Sequence, residues 1–224
     1  MNIHLFPEII GKWVNYIAGA VFPDKCALCA KTGSFICQKC KNLLPAELHI
    51  RDKWIISALP YKNPGVRTLL WNFKYRGRKD IGSFLLGKAR EAMMEYLEEI
   101  LLFEGSKRIL FIPIPATEKR IRKRGFDHAG FLSESWQKFF PDSQAVKLIT
   151  KTKETETQAK TPSKKVRGLN IAGSFEASEI NLSGACVFIV DDIVTTGETL
   201  REARRALEKQ NAASVYAITI SHAD

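Results

Sequence analysis

Two hydrophobic periods alternate along the chain. Val66, Leu69, Leu70 and Phe73 recur at helical spacing and predict a helix over Val66–Tyr75; Ile81–Phe103 reads as a second, longer helix with mixed charges on its outer face. The uninterrupted apolar run at Val187–Val190 reads as a short strand, because such a run suits a parallel strand covered on both faces, and Arg108–Ile112 is read as another strand. Trp54–Tyr61 (closed by Asn63-Pro64-Gly65), Ala145–Ile149 and Ser214–Ile220 are further predicted strands. A helix is expected from about Asp127 to Phe140, and another after the Val187–Val190 run, reaching about Gln210. Lys164–Leu169 is expected as a short helix and Gly173–Phe175 as a short extended piece. Ala116–Arg124 is expected as a basic loop, and Thr150–Lys165, rich in Lys, Thr and Glu, as a mobile one. Strands alternating with helices predict an α/β fold with a mainly parallel sheet flanked by helices.

The stretch from Val187 to Leu200 adds chemistry to this pattern. Asp191 and Asp192 follow the apolar run at the strand's carboxyl end, where open α/β sheets place their ligands. Acceptor-only carboxylates suit the vicinal hydroxyls of a ribose. Thr195, Thr196, Gly197, Glu198 and Thr199 then open a helix, whose first backbone N–H groups form an anion site. Gly197 allows close backbone approach to a phosphate. An Asp pair alone is more often a solvated turn; the whole ordered segment instead predicts a ribose 5-phosphate cradle. It resembles the phosphoribosyl-pyrophosphate (PRPP) signature of type I phosphoribosyltransferases.

A second stretch carries chemistry of the opposite sign. Ile112-Pro113-Ile114-Pro115 ends a strand in a rigid turn, and Lys119, Arg120, Arg122, Lys123 and Arg124 follow. Forked Arg donors and Lys point charges suit a pyrophosphate. The formal net charge of +10 favours an anionic partner, and the excess is local: a second cluster contains Lys151, Lys153, Lys160, Lys164, Lys165 and Arg167. Lys119, Arg120, Arg122, Lys123, Arg124, Lys164, Lys165 and Arg167 are therefore nucleic-acid candidates. Trp71, Phe73 and Tyr75 interleave with Lys74 and Arg76, as a single-strand binding surface would require, although Trp71 and Phe73 are assigned to core packing. His128 is read as a capping or surface residue, and Cys186 as a small buried hydrophobe.

Four cysteines, Cys26, Cys29, Cys37 and Cys40, form CxxC, seven residues, CxxC. Two such hairpins present four thiolates as a tetrahedron, which predicts a structural zinc knuckle with no open coordination position for catalysis. An Fe–S cluster and disulfides remain the alternatives. The amino-terminal residues lack a basic n-region and a cleavage site, and no apolar run is long enough to span a bilayer; a cytoplasmic protein is expected. Trp13–Phe22 is expected to pack on the protein body, with peripheral membrane contact as the alternative. The predicted organisation is an amino-terminal helical segment over 1–22, a four-cysteine zinc knuckle over 23–50 and a PRPP-binding domain over 51–224.

Several motifs together narrow the resemblance. The knuckle, Tyr61–Arg67 leading to Phe73-Lys74-Tyr75-Arg76-Gly77, Pro113-Ile114-Pro115, Arg124-Gly125-Phe126, Gln158, Arg167-Gly168-Leu169-Asn170 with Phe175, and the PRPP signature resemble the ComF family (ComFC or GntX-like proteins). That resemblance implies a type I phosphoribosyltransferase fold with a zinc knuckle, and a role in natural transformation and DNA uptake. It implies that Asp191 and Asp192 hold ribose hydroxyls, Thr195–Thr199 the 5-phosphate, and Ile114 and Pro115 the pyrophosphate, with Arg120 and Arg124 near a closing loop. Transfer of phosphoribosyl from PRPP and Mg²⁺ to a nitrogen acceptor would then draw charge stabilisation from Arg120, Arg124 and Lys74. A non-catalytic single-stranded-DNA-binding competence factor, using the same fold as scaffold or sensor, is the alternative; competence-machinery proteins are expected partners. Asp127-His128 departs from the family's more frequent Asn-Gln, and Lys151 and Lys153 stand where an Arg is usual.

Overall fold

The structure is a computed structural model that describes residues 24–105, 108–152 and 173–223. The chain divides into two compact units, Met1–Leu44 and Pro45–Asp224.

In the first unit, Lys25 bridges antiparallel to Thr32, and Cys26 donates its N–H to Lys31 O at 2.8 Å. Ala30 and Gly33, at φ 60° and 109°, turn the chain within this loop. Helix α1, Gln38–Asn42, starts immediately after Cys37 and carries Cys40 in its first turn. The second CxxC pair therefore sits on a helix start and not on the second hairpin expected from its spacing.

The second unit is a seven-stranded sheet of β1 (His49–Arg51), β2 (Ile55–Ser57), β3 (Leu59–Pro60), β4 (Arg108–Pro113), β5 (Ser143–Ala145), β8 (Ala185–Val194) and β9 (Ser214–His222). Its order is β1-β2-β9-β8-β4-β5, with β3 also on β9, and only the β1–β2 pair is antiparallel. A separate antiparallel pair joins β6 (Ile149–Lys151) to β7 (Phe175–Ala177). Besides α1, the described helices are α2 (Pro64–Arg76), α3 (Lys79–Glu104), α4 (Glu118–Arg124), α5 (His128–Gln137) and α6 (Glu198–Glu208).

The core follows from the strands' period of two. Val187 and Ile189 join Leu110, Ile112, Leu200 and Ala203 on the α6 side. The alternate positions form an aromatic row: register pairs Phe111 with Phe188 and Phe188 with Tyr216, at ring separations of 5.5 and 5.7 Å. Phe140 extends this row, 5.6 Å from Phe111. Each such aromatic pair contributes about 0.5–1.5 kcal/mol beyond its buried area, so the row fixes register as well as filling space.

Several predicted boundaries change. Ala116–Arg124 is mostly helix: Thr117 caps α4 through Oγ1, Glu118 opens it, Arg122–Arg124 close it, and Gly125 terminates it at φ 87°. Ala145–Ile149 is not one strand but the meeting point of β5 and β6, which lie in different sheets. Trp54–Tyr61 breaks at Ala58 into β2 and β3, both in the same register along β9. It is preceded by β1 through a tight turn with Asp52 and Lys53 at φ 51° and 63°. The apolar run at Val187–Val190 continues through the acidic pair, so Asp191 and Asp192 lie within β8. Trp13–Phe22, Gln158, Lys164–Leu169 and most of Thr150–Lys165 lie outside the described residues.

Helices α2 and α3 pack closely at one point. A Cβ on Gly82 would stand 2.4 Å from Cε2 of the fully buried Phe73. Gly82→Ala should thus destabilise by about 1–3 kcal/mol from overpacking, outweighing a helix-propensity gain of about 1 kcal/mol. A urea unfolding curve checks the sign: a midpoint equal to or above that of the unsubstituted protein would refute the close packing.

Candidate functional site

Chain direction sets the site. From β4 the chain passes through α5 to β5 on one side of the sheet order; β8 lies on the other side of β4 and passes through α6 to β9. The carboxyl ends of β4 and β8 are therefore a topological switch point, where open α/β sheets leave a crevice. Pro113 pairs with Val190, and Ile114 donates its N–H to Val190 O at 2.9 Å. The Pro113–Pro115 turn is thereby held beside Asp191 and Asp192. Loop 195–197 then leads into α6 with Gly197 as N-cap at φ 80°.

The acidic pair is embedded in charge. Lys74, from α2, reaches Asp192 with Nζ 2.7 Å from Oδ1; the side chains are 18% and 6% exposed. Burial opposes the charge on Lys74, but Asp192 and Asp191 outweigh it, and its pKa is raised. Asp191 accepts the Asp192 N–H at 2.8 Å. Burial and then the Asp192 charge push Asp191 up to about 7, against the pull of Lys74. A carboxyl poised there changes charge near neutrality.

His128 ties the surrounding cations together. It is 3% exposed, at the start of α5, where Asp127 and not His128 supplies the helix cap. Its Nε2 lies 2.9 Å from Lys74 O and its Nδ1 3.4 Å from Arg124 Nη1. A carbonyl only accepts, so Nε2 carries the proton and the Nδ1 lone pair faces the guanidinium. Burial lowers the His128 pKa and favours this neutral form. The ring packs edge-on to Phe73 at 5.1 Å and beside Phe126 at 4.3 Å, so the α2–α5 contact that seats Lys74 also seats Arg124. This corrects the capping or surface role expected for His128.

The remaining cations are less concentrated. Arg124 lies 5.5 Å from the Tyr75 ring centre, and Arg120 is half-buried one turn earlier on α4. Lys119, Arg122 and Lys123 are exposed, Arg122 pairing with Glu118 at 2.8 Å. Lys164, Lys165 and Arg167 lie outside the described residues. Trp71, expected in the core, is 49% exposed; Phe73 is fully buried as expected. Cys186 is buried, and its thiol is pushed up to about 11 by that burial.

The loop is also gripped from residues that sequence reasoning missed. Arg51 Nη1 donates to Thr195 O, and Arg201 Nη1 donates to Thr196 O at 3.0 Å. Arg201 also pairs with Glu198 and Asp52, both at 2.7 Å. Only fold-level pairing of the β1–β2 hairpin could have pointed to Arg51 and Asp52, whereas Arg201 stands within reach of the loop on the helix it opens.

In the first unit the four cysteine sulfurs lie within 4.8 Å of one another, with Cys29 and Cys37 Sγ 3.6 Å apart. A tetrahedral Zn–S₄ centre with bonds of about 2.3 Å needs sulfurs about 3.8 Å apart, so the donor set fits zinc. Cys37 N–H donates to Cys26 Sγ at 3.4 Å. Although burial raises the Cys26 pKa, such backbone donors bring it down to about 6, whereas burial pushes Cys40 up to about 12. The backbone donors thus favour a thiolate at Cys26, and a bound cation would supply the charge that releases the buried proton of Cys40.

Comparison with known proteins agrees with this geometry. A phosphoribosyl transferase domain model matches residues 121–222. The chain is 27% identical to the DNA utilization protein YhgH of Escherichia coli O157:H7, over 85% of each chain. It is 26% identical to the competence protein ComFC of Bacillus subtilis, over 87% of this chain and 76% of that one. It is 27% identical to competence protein F of Haemophilus influenzae, over 82% of this chain and 78% of that one. A switch-point crevice with an acidic pair, a cysteine cluster that fits a zinc knuckle, and these likenesses over most of its length make the chain similar to the ComF-type competence and DNA utilization proteins, with a phosphoribosyl transferase domain over 121–222.

Proposed function

We propose that the crevice binds PRPP and that the protein transfers its phosphoribosyl group to a nitrogen acceptor in a pathway of DNA uptake. The observation that carries this reading is the Lys74–Asp192 pair beside Asp191, set between the Pro113–Pro115 turn and loop 195–199. Asp191 and Asp192 accept from the ribose hydroxyls; Thr195, Thr196, Gly197, Glu198 and Thr199 enclose the 5-phosphate; Ile114 and Pro115 border the pyrophosphate. Mg²⁺, entering with the substrate, would supply neutralisation of the phosphate charge. The acceptor nitrogen forms a bond to the anomeric carbon as the carbon–oxygen bond breaks and pyrophosphate leaves with the electron pair. Lys74, Arg120 and Arg124 stabilise that charge; an ammonium has three donors, so pairing with Asp192 leaves Lys74 capacity for a phosphoryl oxygen. Structural Zn²⁺ occupies the Cys26, Cys29, Cys37 and Cys40 cluster, and a cytoplasmic setting, where PRPP and reduced thiols are both at hand, belongs to the same reading.

A second reading, single-stranded DNA binding, is favoured by one observation. Trp71 and Tyr75, 49% and 47% exposed, stand one turn apart on α2 with Arg76 5.1 Å from the Trp71 ring and Arg124 5.5 Å from Tyr75. Flat exposed rings flanked by cations are what stacked bases with phosphates require. Both activities fit in one chain, and competence-machinery proteins would be natural partners.

Calorimetric titration with PRPP and Mg²⁺ tests the first reading. Binding should be abolished by joint Asp191→Asn and Asp192→Asn substitution, with pyrophosphate release lost in an acceptor screen; absence of binding by the unsubstituted protein at millimolar PRPP would refute it. Binding should also strengthen as pH rises through about 7, because Asp191 must ionise to accept hydroxyl protons. The change should approach about tenfold per pH unit below that value. Asp191→Asn separates this dependence from the titration of the phosphate itself: a pH profile unchanged by the substitution would refute the assignment. In the absence of ligand the sign reverses. The unfolded chain releases this proton near the ordinary carboxylate value and the folded chain only near 7, so this group costs stability as pH rises between the two.

For the second reading, Trp71→Ala and Tyr75→Ala should each weaken oligo(dT) binding by about 1–3 kcal/mol, Trp71→Ala while leaving PRPP binding intact, and affinity should fall steeply with salt. Salt-independent binding would refute it. Chelation should release one Zn²⁺ per chain and unfold the four-cysteine unit, as metal analysis with circular dichroism can follow; an unchanged melting profile after metal removal would refute the structural role.

A further inference from the structure

We propose that Arg51, Asp52 and Arg201 are positioning residues that hold the phosphate loop in its anion-binding form from behind. This inference rests on the proposed reading of loop 195–199 as the 5-phosphate site and names what sets its geometry. Three successive carbonyls of the loop are turned to one side. Thr195 O accepts from Arg51 Nη1, Thr196 O from Arg201 Nη1 at 3.0 Å, and Gly197 O from the Arg201 backbone N–H at 2.9 Å. In a trans peptide the carbonyl and the following N–H point in opposite directions. Fixing these three carbonyls therefore directs the N–H groups of Thr196, Gly197 and Glu198 to the opposite side, as a nest for phosphate oxygens.

The same face is marked independently at Gly197. A Cβ there would lie 3.3 Å from Ile55 Cδ1 and 3.5 Å from Arg201 Cζ, so the hairpin strand β2 and Arg201 together back the loop. Asp52, in the tight turn of that hairpin, takes Arg201 Nη2 at 2.7 Å and completes the link between hairpin and loop. The ion pairs themselves are a third or more exposed: the Arg201 side chain is 34% accessible, Asp52 44% and Glu198 40%. Pairs this wet add little to global stability. Their consequence lies in the peptide planes they orient, and it should therefore appear in ligand affinity before it appears in unfolding.

The decisive comparison is between two ligands, ribose 5-phosphate and inorganic pyrophosphate with Mg²⁺, titrated calorimetrically into the full chain and its Asp52→Asn, Arg51→Met and Arg201→Met variants. Asn tolerates the left-handed backbone that Asp52 adopts, so Asp52→Asn removes the charge without disturbing the turn. Ribose 5-phosphate affinity should fall about tenfold or more in both arginine variants and less in Asp52→Asn, corresponding to a loss of about 1.4 kcal/mol per tenfold. Pyrophosphate affinity and the unfolding midpoint should stay unchanged. Arg201→Lys should restore part of the loss, since an ammonium can still donate to Thr196 O. Equal weakening of both ligands, or no loss for ribose 5-phosphate, would overturn the positioning role. Failure of the unsubstituted chain to bind ribose 5-phosphate would instead overturn the reading of the loop, and the positioning role with it.

Discussion

The parallel pairing of β4 with β8 is the constraint on which the site depends. It runs from Arg108 opposite Ala185 to Pro113 opposite Val190, and the Ile114 N–H extends it by one more bond to Val190 O. Because this pairing is in register with the Phe111–Phe188–Tyr216 row, a slip of one residue would move every aromatic ring to the opposite face. Packing of the core and placement of the site are therefore one specification. Wherever the aromatic row is satisfied, the Pro113–Pro115 turn lies beside Asp191, and an acidic and a proline-rigid strand end face the same crevice.

Once that crevice exists, its charges demand support. Two adjacent carboxylates in a partly dry environment repel one another, and removing one partner of a buried pair costs about 3–5 kcal/mol in comparable systems. The fold answers with Lys74 on Asp192, and keeps Lys74 in place through Phe73, which is packed against Gly82 on one side and His128 on the other. His128 in turn presents a lone pair to Arg124. The cations around the acidic pair are thus spaced by aromatic packing. This matters because exposed Lys and Arg side chains lose considerable rotamer freedom when they order around a ligand, whereas Lys74 and Arg124 have already done so.

The parts of this arrangement legible in the sequence are those encoded locally. The strand-to-loop-to-helix order of Val187–Leu200 and the CxxC spacing need only neighbouring residues, and that order and the four-sulfur cluster both form as read. The cap signals of α4, Thr117 and Gly125, were also present, but the density of charge at 118–124 masked them, since a helix without a buried face has no hydrophobic period. Long-range partnerships were not legible. His128 reads as a cap until α2 is packed over it, and Trp71 reads as core until the helix phase puts it on the outer surface with Tyr75. Arg51 and Asp52 follow the same rule: the turn at Asp52 and Lys53 lacks the glycine or asparagine that usually marks two left-handed residues, so the hairpin gave no local signal.

The two faces of α2 differ in character, one packed and one exposed. Buried on one face are Leu69, Leu70 and Phe73, and from the border of that face Lys74 enters the crevice. On the opposite face Trp71 and Tyr75 are exposed, and Arg124 lies against Tyr75 while its guanidinium also meets His128. Arg124 is therefore shared between the crevice network and the exposed aromatic face. One guanidinium thus has a partner on each side, the His128 lone pair towards the crevice and the Tyr75 ring towards the outer face, and any anion entering the crevice would meet a cation already ordered by both.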